Sequence, residues 1–279
     1  MKNNNVISCL AGLSKTGRGR LAQLLQIGQP TITIGDAAKV LATDPIKAGK
    51  LLAYYAKKGW LNRISSGNYV SVPLEADDPG IITEDPLVIA GKLFAPCYIG
   101  GWSAAEYWGM TEQIFNSVIV IVQKDFKKRR QLIGNVEYLL HSVSYKLFFG
   151  LKTVWINNTQ IKISDPSRVI IDLLRDLSLG GGLRGAVDLL RYYFTSKDLD
   201  LKQLMSYLEQ ISIGAIYKRL GFLLELYCSD QQELISCCRS KLTNGYAKLD
   251  PSLKKNNNKL VSQWRLWVPE NWKQQFKKI

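Results

Sequence analysis

The 279-residue chain is long enough for about two domains of the usual ~100–200 residues, and its 46% apolar and 22% charged residues are ordinary for a globular protein. Lys and Arg total 37 against 23 acids, a net charge of +14, and no apolar run approaches the ~18–20 residues of a membrane span. The lone histidine, His141, excludes HExxH and Cys2His2 zinc sites, and five irregularly spaced cysteines (Cys9, Cys97, Cys228, Cys237, Cys238) fit reduced thiols in a cytoplasm better than a disulfide framework.

The charge is uneven. Residues 1–75 carry a net +7, residues 76–247 only +1, and residues 248–279 carry +6. Basic ends around a near-neutral middle point to a polyanionic partner. A solvated surface would show the same balance, so the local pattern has to decide.

Arg18 to Gln26 has helical spacing at Leu21, Leu24 and Leu25, and Gly28-Gln29-Pro30 ends it. Thr31-Ile32-Thr33 is a short extended piece. A second helix starts at Thr33 or Gly35, with Ala37, Ala38, Val40 and Leu41 as its packing face. Asp44 is a good N-cap and Pro45 suits the first helical position behind it, so a third helix runs to about Lys58 and stops at Gly59. Its packed face is Ala48, Leu51, Leu52 and Tyr55. Lys47, Lys50, Tyr54, Lys57 and Lys58 share about 100° of arc elsewhere on the helix. Trp60–Ile64 and Tyr69–Val72 flank the turn Ser65-Ser66-Gly67-Asn68 as a β-hairpin.

This order predicts a winged helix-turn-helix over residues 1–75, its third helix sized for the major groove of duplex DNA. Lys47, Lys50 and Lys57 would reach base edges or phosphates, and Tyr54 a phosphate or a thymine methyl. Arg63 and the tip residues Ser65, Ser66 and Asn68 would lie on the adjacent backbone or minor groove. A winged helix used for protein contact would carry the same lysines as a solvated face.

Glu75 to Gly80 is acidic and turn-rich and marks the expected boundary of a second domain, 76–279, with a basic tail at 248–279. Predicted elements are a helix at Pro86–Phe94, a short helix near Ser103–Trp108, strands at Asn116–Gln123 and Val136–Val143, and a hairpin of Thr153–Ile156 and Gln160–Ile163 around Asn157-Asn158. Helices follow at Ser167–Leu177, Leu183–Phe194, Leu199–Gln210, Ala215–Cys228 and Gln231–Cys238, with a terminal strand at Gln263–Val268. The expected fold class is α+β, the winged helix preceding a larger mixed domain with strands first and a helical C-terminal half.

Several features invite catalytic readings. Gly180-Gly181-Gly182 lacks the Lys-Ser/Thr of a phosphate-binding loop and reads as a turn. Asp165, Asp172 and Asp176 would suit a metal nuclease, but Arg168 and Arg175 alternate with them at ion-pair spacing. His141 reads as a half-buried strand histidine, and Cys237-Cys238 as packing. Neither a cofactor nor a metal is expected, and no enzymatic activity.

Tyr98-Ile99-Gly100-Gly101-Trp102-Ser103-Ala104-Ala105-Glu106-Tyr107-Trp108-Gly109 resembles a signature of the AbiEi antitoxins of type IV abortive-infection toxin–antitoxin systems. Gln113 to Asn116, Phe148-Phe149-Gly150, Ile163 to Arg168 and Gly180 to Ala186 add to the likeness, which runs from the N-terminal module to about Glu225. The resemblance implies a transcriptional autorepressor. It would bind inverted repeats in its own promoter and counter a nucleotidyltransferase toxin with which it need not form a stable complex, giving phage defence and plasmid or island maintenance; independently of the likeness, a single winged helix covers little DNA, which points to a dimer on paired half-sites. Carried over by residue, the DNA-reading positions are Lys47, Lys50 and Tyr54, with Arg63 on the wing; no catalytic residue is carried over. The competing classes are a nuclease-like enzyme targeted by the winged helix and a stoichiometric protein adaptor.

Overall fold

The structure, a computed structural model, describes residues 12–72, 84–251 and 258–270. The expected boundary at 75/76, Cys9, and the tail residues Lys254, Lys255, Trp272, Lys273, Lys277 and Lys278 lie outside them. The fold is mixed α+β, with ten α-helices and three sheets among the described residues. Two compact units make up the chain: 1–97 with 116–140 and 153–161, and 98–115 with 141–152 and 162–279.

In the first unit, α1 (Lys15–Leu25) begins at Ser14, whose hydroxyl accepts the Gly17 N–H at 3.1 Å. Strand β1 (Ile32–Thr33) leads into α2 (Ile34–Val40). There Thr33 and Asp36 form a reciprocal capping box, the Thr33 hydroxyl accepting from the Asp36 N–H and the Asp36 carboxylate accepting from the Thr33 N–H. Helix α3 (Pro45–Lys57) starts where Asp44 accepts the Lys47 N–H at 2.9 Å and ends before Gly59 at φ +82°. Strands β2 (Leu61–Ser65) and β3 (Asn68–Ser71) pair antiparallel, with β1 on the far side of β3, giving the order β1-β3-β2.

Leu21, Leu24, Ile32, Ala37, Ala48, Leu52, Tyr55, Leu61 and Tyr69 form one core here. The Tyr55 hydroxyl crosses from α3 to donate to the Gly17 carbonyl at 2.9 Å. Val40 was expected on the packing face and is instead 42% exposed. Helix α2 is only seven residues long, and Ala37 is its one buried residue.

Helix α4 (Pro86–Leu93) begins at Asp85, which caps the Leu87 N–H at 2.7 Å. The large sheet comprises β4 (Cys97–Ile99), β5 (Ser117–Val122), β6 (Arg130–Ile133), β7 (Val136–Ser142), β8 (Leu151–Ile156) and β9 (Thr159–Ser164), in the order β6-β7-β5-β4-β9-β8. Strand β5 is the buried centre, with Ile119 to Val122 fully covered. Strand β6 has no counterpart among the sequence expectations, because its charged start hides a strand that exists only through its ladder with β7, Arg130 opposite Leu139 and Ile133 opposite Val136.

The second unit is mainly helical: α5 (Gly101–Tyr107), α6 (Pro166–Arg175), α7 (Leu183–Thr195), α8 (Leu201–Ile211), α9 (Gly214–Tyr227) and α10 (Gln232–Ser240). A small sheet of β10 (Ala247–Lys248), β11 (Asn258–Val261) and β12 (Leu266–Pro269), ordered β10-β12-β11, completes it. The expected strand Gln263–Val268 is a 3-10 turn over Ser262–Trp264 followed by β12. Trp264 is fully buried, its ring against Gly221 of α9 and its indole N–H donated to Glu225 at 2.6 Å. Any Cβ at position 221 would overlap that ring. Gly221→Ala is therefore expected to destabilise by roughly 1–3 kcal/mol, read as a lowered urea midpoint, although alanine is the better helix former. An unchanged or raised midpoint would show that Trp264 does not pack there.

Candidate nucleic-acid interface

Helix α3 buries Ala48, Leu52 and Tyr55 completely. At ~100° per residue, the line directly opposite those side chains runs through Ile46, Lys50, Ala53 and Lys57, spaced i, i+4, i+7 and i+11 over about 16 Å of axis. All four are exposed, Ile46 by 73%. The outermost stripe therefore alternates apolar and cationic side chains. Lys50 and Lys57 have no acidic partner within 4.0 Å among the described residues.

Lys47 and Lys58 flank this stripe. The Lys47 ammonium lies 3.2 Å from Asp44, and the Asp44 carboxyl is held below its usual value first by the Lys47 N–H and then by that ammonium. The Lys58 ammonium sits over the Tyr54 ring at 6.0 Å, and Tyr54 is 45% exposed. Sequence reasoning thus found the cationic side of α3 but passed over Ile46 and Ala53. Apolar residues on a helix read as packing until burial is known.

At the hairpin tip, Gly67 takes φ +78°. Asn68 donates its side-chain amide to the Ser65 hydroxyl at 2.9 Å and the Ser66 carbonyl at 3.3 Å. Ser65 and Asn68 are therefore engaged in closing the turn, while Ser66 and Arg63 are exposed, the Arg63 Nε donating at 3.4 Å to the Ser65 carbonyl. The Ile34 side chain touches both Gly49 of α3 and Gly67 of the tip, where a Cβ would stand 3.4 Å away, which couples helix and hairpin within one small core.

The catalytic candidates of the second unit have structural partners. Asp165 caps α6 by accepting the Arg168 N–H at 2.8 Å and also accepts the Tyr207 hydroxyl at 2.7 Å. Burial pushes its carboxyl above the usual range despite both hydrogen bonds. Asp172 and Arg168 are completely buried and paired at 3.0 Å, with Arg175 at 3.7 Å from the same oxygen. The Tyr98 hydroxyl donates to Asp172 at 3.2 Å and accepts from Arg168 at 3.1 Å; the guanidinium also lies 4.2 Å from the Phe149 ring centre. Asp176 caps the 3-10 turn Leu177–Gly180 through the Ser178 N–H at 3.0 Å.

Gly181 and Gly182 have φ +77° and +93°, and Gly180 packs directly against Gly185, so the triplet serves a turn and a close approach. His141 lies in β7, half-buried; Cys238 is buried and Cys237 partly so. Among the described residues no three His, Cys, Asp or Glu side chains gather where they could hold a metal ion, and no helix is long and apolar enough to cross a membrane.

No family model and no curated protein matches the sequence. The fold itself, α+β, is similar to the crystal structure of the RV2827C protein from Mycobacterium tuberculosis, with a TM-score of 0.62 over 94% of each chain at 14% identity. At that identity the likeness concerns the fold alone.

Proposed function

We propose that residues 12–72 are a winged helix-turn-helix that binds duplex DNA, with α3 in the major groove and the β2–β3 hairpin as the wing. We further propose that the chain is an AbiEi-type antitoxin: it represses its own promoter by binding inverted repeats as a dimer, and it counters a nucleotidyltransferase toxin without holding it in a stable complex. The observation that carries the DNA reading is the exposed Ile46-Lys50-Ala53-Lys57 stripe directly opposite the buried face of α3. Lysines there neutralise phosphates or meet guanine edges, and apolar side chains meet thymine methyls. That Asp165, Asp172 and Asp176 are occupied as caps and an ion pair favours binding over hydrolysis in the second unit.

The test is fluorescence anisotropy with a duplex spanning the chain's own promoter. Log affinity falls linearly with log salt, by about 0.9 for each phosphate contacted. Absent or salt-independent binding would remove the DNA reading. For the antitoxin role, the chain is co-expressed with the product of a neighbouring nucleotidyltransferase reading frame. Growth is rescued, and the two proteins purify separately; continued arrest would count against it.

Ile46 allows a finer check. Replacing a contacted thymine by deoxyuridine removes one methyl and weakens wild-type binding about fourfold, from ~0.8 kcal/mol per buried methyl-sized group. The Ile46→Ala protein binds both duplexes alike. If it still discriminates them, Ile46 does not read that base.

A further inference from the structure

The near-neutral charge of residues 76–247 hides a local excess. In Lys124-Asp125-Phe126-Lys127-Lys128-Arg129-Arg130, five of seven residues are cationic and one is acidic. This segment joins β5 to β6 and belongs to the same compact unit as α3. All five cations are exposed.

The connection is built into the fold. Phe126 is half-buried, its ring edge-on to that of Phe94 at 5.8 Å, and Phe94 is itself 3% exposed. The Arg129 carbonyl accepts the Leu140 N–H at 2.7 Å, and the Lys128 carbonyl accepts the Gln131 side-chain amide at 3.4 Å. One aromatic side chain and two hydrogen bonds thus fix a short arch whose cations splay outward.

Local acids leave Lys127 and Lys128 unbalanced and hold Arg129 and Arg130 only loosely. Arg129 reaches Asp125 only at 4.0 Å, both largely solvated, and Arg130, also largely solvated, reaches the half-buried Glu137 at 3.7 Å. Lys127 and Lys128 have no acidic partner within 4.0 Å among the described residues. Guarding an exposed sheet edge would account for a cation on β6, which ends the large sheet. It does not account for Lys124, Lys127, Lys128 and Arg129, which precede the strand. Five like charges this close repel one another in the free protein, and a polyanion relieves that cost.

We infer that the β5–β6 connection is a second nucleic-acid contact, which grips the phosphate backbone of duplex DNA outside the stretch read by α3. The chemistry favours a duplex over a single strand. Single-strand sites offer exposed aromatic rings for bases to stack on, whereas the only ring in this arch, Phe126, is turned onto Phe94. Its contacts are sequence-independent and purely electrostatic.

The inference rests on the DNA-binding reading, and the test separates the two. Full-length Lys127→Gln/Lys128→Gln/Arg129→Gln protein is titrated with salt on the promoter duplex and on a scrambled duplex of equal length. These side chains are exposed, and a thermal melt confirms that the fold is kept. The slope of log affinity against log salt falls by about 2–3, since each phosphate contact contributes about 0.9. Affinity drops by the same factor on both duplexes, so the preference for the promoter is unchanged. A wild-type slope with intact promoter binding overturns the inference and leaves the α3 reading standing. A wild-type protein that binds neither duplex overturns both.

Discussion

Lys50→Glu with Lys57→Glu abolishes measurable promoter binding, an expected loss of at least about 100-fold, or roughly 2.7 kcal/mol. Both side chains lie on the outermost line of α3 and neither has an acidic partner within 4.0 Å among the described residues, so no existing ion pair offsets their loss. Each reversal removes a counterion-releasing contact and places a like charge against phosphate, two penalties of the same sign. Stability should change only modestly, by about 1 kcal/mol, because both sites are solvent-exposed and lysine and glutamate have similar helix propensity, while glutamate at 57, in the last turn, opposes the helix dipole. Lys47→Glu is the internal control: Lys47 sits on the flank and already faces Asp44 at 3.2 Å, so its reversal costs less binding than either stripe lysine. Anisotropy with the promoter duplex, paired with a urea melt, reads both quantities. Unaltered affinity in a folded double variant would mean that α3 does not meet DNA.

Asp172→Ala is expected to cost about 3–5 kcal/mol of folding stability. Arg168 is completely buried beside Asp172, and its Nε and Nη1 already lack hydrogen-bond partners. Removing the carboxylate leaves a guanidinium with only Tyr98 and the Phe149 ring for compensation. An uncompensated buried charge is far more costly than a missing surface pair. The double variant Arg168→Met/Asp172→Leu recovers much of the loss, because it removes both charges and fills the space with apolar atoms. Chemical denaturation of the three proteins gives the comparison. A loss below about 1 kcal/mol for Asp172→Ala would show the site to be wetter, and the pair less consequential, than its burial indicates.

Local signals were legible where the interaction itself is local. Asp44-Pro45 and Asp165-Pro166 each start a helix because a carboxylate can reach an N–H three residues on, whatever the rest of the chain does. Gly59 and Asn157-Asn158 end or turn a segment through backbone conformation alone, and Asn157 has φ +51°. Strands β4, β6, β10 and β11 were not legible: all are two to four residues long, β4 and β10 pair with strands remote in sequence, β6 has a charged start, and β11 begins in the polar run Asn256-Asn257-Asn258-Lys259. Charge counting over long windows hid the Lys124–Arg130 arch, since distant acids cancelled it in the sum but do not neutralise it in space.

The sequence alone thus determined the α+β class, most of the helices, and the presence of a cationic side on α3, because periodicity and capping act over a few residues. Tertiary structure decided which face of α3 is outermost, bringing Ile46 and Ala53 into the stripe and placing Lys47 at its edge. It also decided that Arg168 and Asp172, whose spacing reads only as a local ion pair of structural or interface charges, are a completely buried pair beside Tyr98 and Phe149. Burial is a property of what packs over a residue, and those neighbours lie tens of residues away in the chain.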